Sequence, residues 1–230
     1  MSKSISEHAY AELAHAIATC ELRPGSPINE RTDAARLGMS RTPFRQALHR
    51  LQLEGLVVSV PKRGTYVMPL DPDDIEDNMR VREAIETDMV QKVISESRPV
   101  DIKGLDANLR AQRDAVEHDD FIDWLRLDEE FHIDLLAASG NARAVEAVRR
   151  CWLHVNRVRY IRPLSRSAQR LALSQHREIL AAVRSADVER ARSAIRKHLE
   201  QPLQRNLASL AAELPEAFHI AGNGAAPADA

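Results

Sequence analysis

Between residues 40 and 57 the stretch SRTPFRQALHRLQLEGLV sets Phe44, Ala47, Leu48 and Leu51 at i, i+3, i+4 and i+7, and Arg41, Arg45 and His49 at i, i+4 and i+8. That spacing predicts an amphipathic helix with one packed face and one basic face. Ser40 stands where an N-cap belongs, Pro43 falls in the first turn, and Gly55 is placed to close the helix in a left-handed conformation. Upstream, INERTDAARLGM (28–39) predicts a shorter helix capped by Asn29 and ended by Gly38. Downstream, the β-rich runs VVSV and TYVM flank PKRG, which predicts a hairpin whose tip, Pro61 to Gly64, carries two positive charges.

From Asp73 onward the periodicity is helical almost without β signals, over roughly 73–97, 101–117, 119–139, 142–162, 165–185 and 187–210. The breaks at SRPVD, SGN, RPLS and SAD are turn and cap chemistry, so the segments suit antiparallel neighbours in a bundle. The expected fold is therefore mainly α: an N-terminal winged helix-turn-helix over 1–70, an all-helical antiparallel bundle over 71–212, and a disordered tail over 213–230. MPLDPDDIED (68–77), with two prolines and four aspartates, marks the junction. Pro202 should kink the last helix by removing an N–H that would bond back toward His198.

Charge sharpens the division. Residues 1–70 hold nine Lys/Arg against six Asp/Glu, whereas the remainder holds 23 against 28, so a net charge of −2 conceals a basic front. A short basic helix has the diameter to enter a DNA major groove, and a basic hairpin beside it reaches phosphates or the minor groove. The bland alternative is that Arg41, Arg45 and Arg50 merely solvate a surface helix. No run of about 18 apolar residues and no apolar secretory stretch is present, which points to the cytoplasm. Cys20 and Cys151 lie far apart and outside any metal-ligand spacing, which suits two buried thiols rather than a disulfide framework.

One anomaly interrupts the apolar stripes of the bundle. In FIDWLRLDEEFHIDLL (121–136), Asp128 and His132 share a stripe with Phe121, Leu125 and Leu135. An unpaired carboxylate on such a face costs several kcal/mol or shifts its pKa, so Asp128 needs a cation. His176 and His198 also sit on inward stripes, the first with Ala172, Ile179 and Val183, the second with Val188, Ala191 and Ile195. Three helices thus aim an N₃O donor set at one interior, which suits zinc, nickel or another divalent transition metal with positions left open. Core histidines hydrogen-bonded to neighbours are the alternative reading of the same pattern. A metal-dependent enzyme is disfavoured, because neither H-E-x-x-H nor G-x-S-x-G occurs and no spare acid or base stands out.

SRTPFRQALHRLQLEGLVVSVPKRGTYV, with LRPGSPINE before it, resembles the DNA-binding signature of GntR-type bacterial transcription regulators. The resemblance implies that Arg31, Arg41, Thr42 and Arg45 meet phosphates or base edges, with Gly64 at the wing tip. Asp33 departs from it, since the family usually has leucine there. The D-x-x-x-H of Asp128 and His132, followed by SGN, QHREIL and IRKHL, is similar to the FCD effector module of the FadR branch. That similarity implies metal ligation by Asp128, His132, His176 and His198 and a small carboxylate effector at the metal. It further implies a homodimeric regulator, in the commoner case a repressor, on double-stranded operator DNA. A structural metal with no effector is the alternative. A carboxylate would need further donors, for which Arg82, Arg159 and Asn156 are candidates; against them stand an intrahelical Arg82–Glu86 pair and a solvated helix end at Arg159.

Overall fold

The computed structural model describes residues 5–200, 210 and 212–221. The chain divides into two compact units, one of Met1–Ile75, Leu153–Arg162 and Leu203–Ala230, the other of Glu76–Trp152 and Pro163–Pro202.

The first unit is built on three short helices and a small sheet: α1 (Ile5–Ala18), α2 (Glu30–Arg36), α3 (Arg41–Leu53), β1 (Pro27–Ile28), β2 (Val57–Val60) and β3 (Gly64–Val67). The strand order is β1-β3-β2, antiparallel throughout, with Tyr66 of β3 opposite Pro27 on one side and Val58 on the other. Phe44, Ala47, Leu48 and Leu51 of α3 are buried as the periodicity predicts, against Leu13 and Ile17 of α1 and Leu56, Val57 and Val67 of the hairpin. Each large side chain so buried contributes about 1.5–3 kcal/mol. α1, whose Ala9, Leu13, Ala16 and Ile17 are buried, and the two-residue β1 are additions to the elements expected above.

Both helix starts follow local chemistry. Asn29 caps α2 by accepting from the N–H groups of Arg31 and Thr32, and Asp33 reaches back to accept from Asn29 N. Asp33 thereby closes a reciprocal cap, so the residue that departs from the resemblance noted above has a polar task of its own. Ser40 caps α3 in an extended conformation without a side-chain hydrogen bond. The third helical position, where a cap hydroxyl finds its N–H, is Pro43 and has none to offer. At the other end Gly55 has φ +77°, Leu56 N donates to Leu51 O and Gly55 N to Gln52 O, so the last carbonyls of α3 are satisfied.

Six further helices follow: α4 (Pro72–Ser95), α5 (Ile102–Glu117), α6 (Phe121–Ala137), α7 (Ala142–Ile161), α8 (Arg166–Arg184) and α9 (Val188–Leu199). Side chains of Asp101, Asp120, Ser165 and Asp187 cap α5, α6, α8 and α9. Leu105, Leu109, Phe131, Leu135, Leu173, Ile179, Leu180 and Ile195 form the larger core of the second unit, with Met89, Ile133, Val148 and Trp152 in a second cluster.

The junction expected near residue 70 is not a single cut. Residues of α7 from Leu153 onward belong to the first unit, where Leu153 packs on the core of α1 and α3 and Val158 packs with Leu70 and Ile75. Residues 213–221, expected to begin a disordered tail, include a single 3-10 turn, Pro215–Phe218, in which Ala217 is buried and accepts from Leu70 N. The kink expected at Pro202 lies outside the described residues.

Candidate functional site

The outward face of α3 carries Arg41, Thr42 and Arg45, all exposed, together with Gln46 and His49, and these five line an open groove of about 640 Å³. Gln46 is an addition to the residues read from the sequence. Arg31 of α2 and Gly64 of the wing are exposed as well; Gly64 has φ +114° and Lys62, two residues before it, φ +62°, so the tip is a tight turn. Arg45 donates through Nε and Nη2 to Glu30 Oε2 at 3.1 and 2.8 Å. That carboxylate raises the pKa of Arg45. A guanidinium fork on an exposed helix face is the kind of group that reads a base edge bidentately.

The second unit collects the four expected donors. Asp128 and His132 of α6, His176 of α8 and His198 of α9 each offer an atom within 4.8 Å of the other three, and all but His198 are fully buried. His132 Nε2 is 3.0 Å and His176 Nε2 3.2 Å from His198 Nε2, and His176 Nε2 is 3.4 Å from Asp128 Oδ1.

What surrounds the rings decides their tautomers. His132 Nδ1 lies 2.7 Å from Glu86 Oε2, His176 Nδ1 2.9 Å from Gln112 Oε1, and His198 Nδ1 3.0 Å from Gln175 Oε1. The Gln112 amide nitrogen donates to Asn108 Oδ1 and Leu127 O, which turns its oxygen toward His176. Each Nδ1 therefore has its proton to give toward an oxygen, which leaves the Nε2 of each ring turned inward. Three lone pairs and a carboxylate converging at these distances repel one another unless a proton or a metal cation lies among them. The donor set fits a divalent transition metal.

Glu86 is shared. Its Oε1 accepts from Arg82 Nε at 2.9 Å while its Oε2 takes the His132 proton. Burial alone would push this carboxyl up; Arg82 and His132 outweigh burial and hold it down at about 2. The Arg82 guanidinium also stacks 3.7 Å over the Trp152 ring, and its Nη2 is a buried donor without a hydrogen-bond partner among the described residues. The expected Arg82–Glu86 pair is thus present and joined to the donor cluster through His132. Asn156 and Arg159 are both buried in the first unit, so Arg159 is not a solvated helix end.

A basic helix-turn-helix with a wing, in one chain with a helical unit that gathers metal-type donors, has the form of a DNA-binding regulator with a second, helical module. Residues 5–67 match the model described as bacterial regulatory proteins, gntR family, and residues 77–201 match the FCD domain. Over 209 residues the chain is 34% identical to an HTH-type transcriptional regulator in an unstable DNA locus of Streptomyces ambofaciens, covering 91% of this chain and 87% of that protein. It is 28% identical over 200 residues to the transcriptional repressor RspR of Escherichia coli K12, covering 87% and 88%. The solved structure of Escherichia coli McbR/YncC superposes with a TM-score of 0.78 at 21% identity, covering 92% of this chain and 99% of that one, and shares the fold. The chain belongs to the GntR family of bacterial transcription regulators and carries an FCD domain. It is a DNA-binding transcriptional regulator, not an enzyme. Among the described residues no helix is long and apolar enough to cross a membrane.

Proposed function

We propose that this regulator is a cytoplasmic, metal-dependent sensor of a small organic acid that binds as a homodimer to a near-palindromic operator and represses transcription from it. In this reading residues 1–70 grip DNA, with Arg31, Arg41, Thr42, Arg45 and Gly64 at phosphates or base edges, and residues 71–212 sense. Two recognition helices presented by a two-fold dimer would enter major grooves about one helical turn apart. A relative named as a repressor supports the direction of control.

The observation that carries the sensing half is the set of Nδ1 acceptors, which aims three histidine lone pairs at Asp128. Asp128, His132, His176 and His198 would hold a divalent ion, zinc by its preference for such a set. When bound, the ion supplies a positive centre with room for an anionic oxygen. The chain's own part is to orient the rings through Glu86, Gln112 and Gln175, and to present Arg82, whose buried Nη2 has no acceptor among the described residues, to a carboxylate. Asn156 and Arg159 remain second-rank candidates for effector contact. An acid that prefers one of two bundle geometries shifts operator affinity by its differential affinity for them and no more.

Elemental analysis of protein purified without chelator tests the ligand set. The wild-type chain should carry about one zinc, and His176→Ala close to none; full occupancy in that variant removes His176 from the set. Thermal shifts with zinc and a panel of small organic acids should then show added stabilisation by at least one acid in the wild type, lost in Arg82→Ala. Indifference to every acid would leave the metal a structural role only.

A further inference from the structure

Residues 152–154 of α7 join two kinds of environment in three successive positions. The Trp152 ring lies 5.9 Å from the ring of His132 and under the Arg82 guanidinium. His154, also buried, faces the DNA-binding helix instead: its Nε2 is 3.0 Å from the backbone oxygen of Glu54, the C-cap of α3, and its Nδ1 is 2.8 Å from Asp74 Oδ2 in the first turn of α4. The positive φ of Gly55 brings that carbonyl within reach, and a Cβ built on Gly55 would meet His154 Cε1 at 3.7 Å.

A backbone carbonyl can only accept, and so can a carboxylate. The two contacts are satisfied together only by a ring that carries protons on both nitrogens. The surrounding charges are accounted for. The Glu54 carboxylate is engaged by Tyr10 Oη at 2.6 Å and by Arg50 Nε at 3.2 Å. The buried Arg157, on α7 itself, donates to Met68 O at 2.6 Å and stands 4.0 Å from Asp74.

We propose that His154, as an imidazolium bridging the Glu54 carbonyl and the Asp74 carboxylate, is the positioning residue through which α7 fixes the recognition helix, and that it relays the state of the metal centre to operator binding from Trp152 two residues away. The proposal rests on the metal-sensor reading above for its second half only. The first half concerns α3, α4 and α7 alone.

The test uses the full-length protein, its zinc content, and a DNA duplex selected from a random library by the wild type. His154→Leu keeps bulk and removes both donors, while Asp74→Asn is the milder variant, keeping size and removing one charge. Both should retain zinc, bind the selected duplex roughly tenfold more weakly, and lose the difference in affinity that the wild type shows between zinc-loaded and chelator-stripped protein. Nitrogen-15 spectra of the wild-type histidine rings should show two bound protons on His154. A singly protonated ring overturns the bridge, whether or not either variant folds. Weaker binding with the zinc response intact overturns the relay, as does a zinc-loaded wild type whose affinity ignores stripping. A wild type that holds no zinc instead overturns the metal reading, and the ring protons and the affinities of the variants still judge the anchor.

Discussion

Each unit contains an arginine–glutamate pair of nearly equal length, and the two are opposites. Arg45 meets Glu30 at 2.8 Å with 67% and 29% of the side chains exposed; Arg82 meets Glu86 at 2.9 Å with 2% and 4% exposed. The first pair keeps its water, so its attraction is screened; if Arg45 reads DNA as proposed, Glu30 would serve to aim a fork that DNA can take over. The second has lost its water, so each partner depends on the other for compensation, and the same carboxylate also holds a ring of the donor cluster. Pairs of nearly the same length therefore differ in what they can do: the exposed one is free to serve recognition, as proposed above, while the buried one is part of the architecture.

The largest consequence falls on the buried pair. Glu86→Ala leaves Arg82 charged and unpaired at 2% exposure and strips the acceptor from His132 Nδ1. Loss of one partner of a buried pair costs about 3–5 kcal/mol. At about 2–4 °C per kcal/mol for a chain of this size, the melting temperature should fall by roughly 6–20 °C. Calorimetry of the variant checks it, and a fall under about 2 °C would mean that the pair is solvated in solution and the contrast is lost.

The exposed pair should behave differently in both stability and binding. Arg45→Ala should leave the melting temperature unchanged, weaken operator binding, and lower the slope of log affinity against log salt by about one. Glu30→Ala should also spare stability, yet raise binding to unrelated DNA while reducing preference for the operator, because a negative charge leaves the interface and the fork loses its guide. Titrations at several salt concentrations separate the two. Identical effects of the two substitutions would show that Glu30 does no more than neutralise Arg45.

The same contrast explains what could be read from the residues alone. Helices whose apolar positions recur every three or four residues were legible to within a few positions, α4 to α8 among them, because burial on one face is a local, repeated signal. Four inward polar residues stood out because charge and imidazole are costly on such a face. What escaped had no such mark. The strand Pro27–Ile28 is too short to show a period. Gln112 and Gln175, which set two of the three histidine tautomers, are neutral amides indistinguishable in sequence from surface glutamines. Glu30 and Arg45 lie 15 residues apart, Glu86 and His132 46 apart, and no local rule joins them. The i, i+4 pairing of Arg82 with Glu86 was visible; that the pair is buried and shared was not, since spacing fixes a neighbour along one helix and says nothing of the helix packed against it.

The smallest effect tests whether burial divides so cleanly between the units. Cys20, in the first unit, donates through Sγ toward Arg157 O at 3.4 Å and sits at φ +60°. Burial pushes its thiol up to about 11, against the opposing pull of Arg157 and Arg23. Its thiolate is thus favoured less in the folded chain than in the unfolded one. Between about pH 9 and 11 the unfolded chain loses this proton first, so stability should decline gently over that window and be indifferent to Cys20 below it. Cys20→Ser should flatten that decline while leaving denaturation midpoints at pH 7 nearly unmoved. In the native protein at pH 8 both Cys20 and the buried Cys151 should react with iodoacetamide far more slowly than after unfolding in guanidinium. Rapid native labelling of Cys20 alone would place it on the solvated side of the comparison, with Arg45 rather than with Arg82.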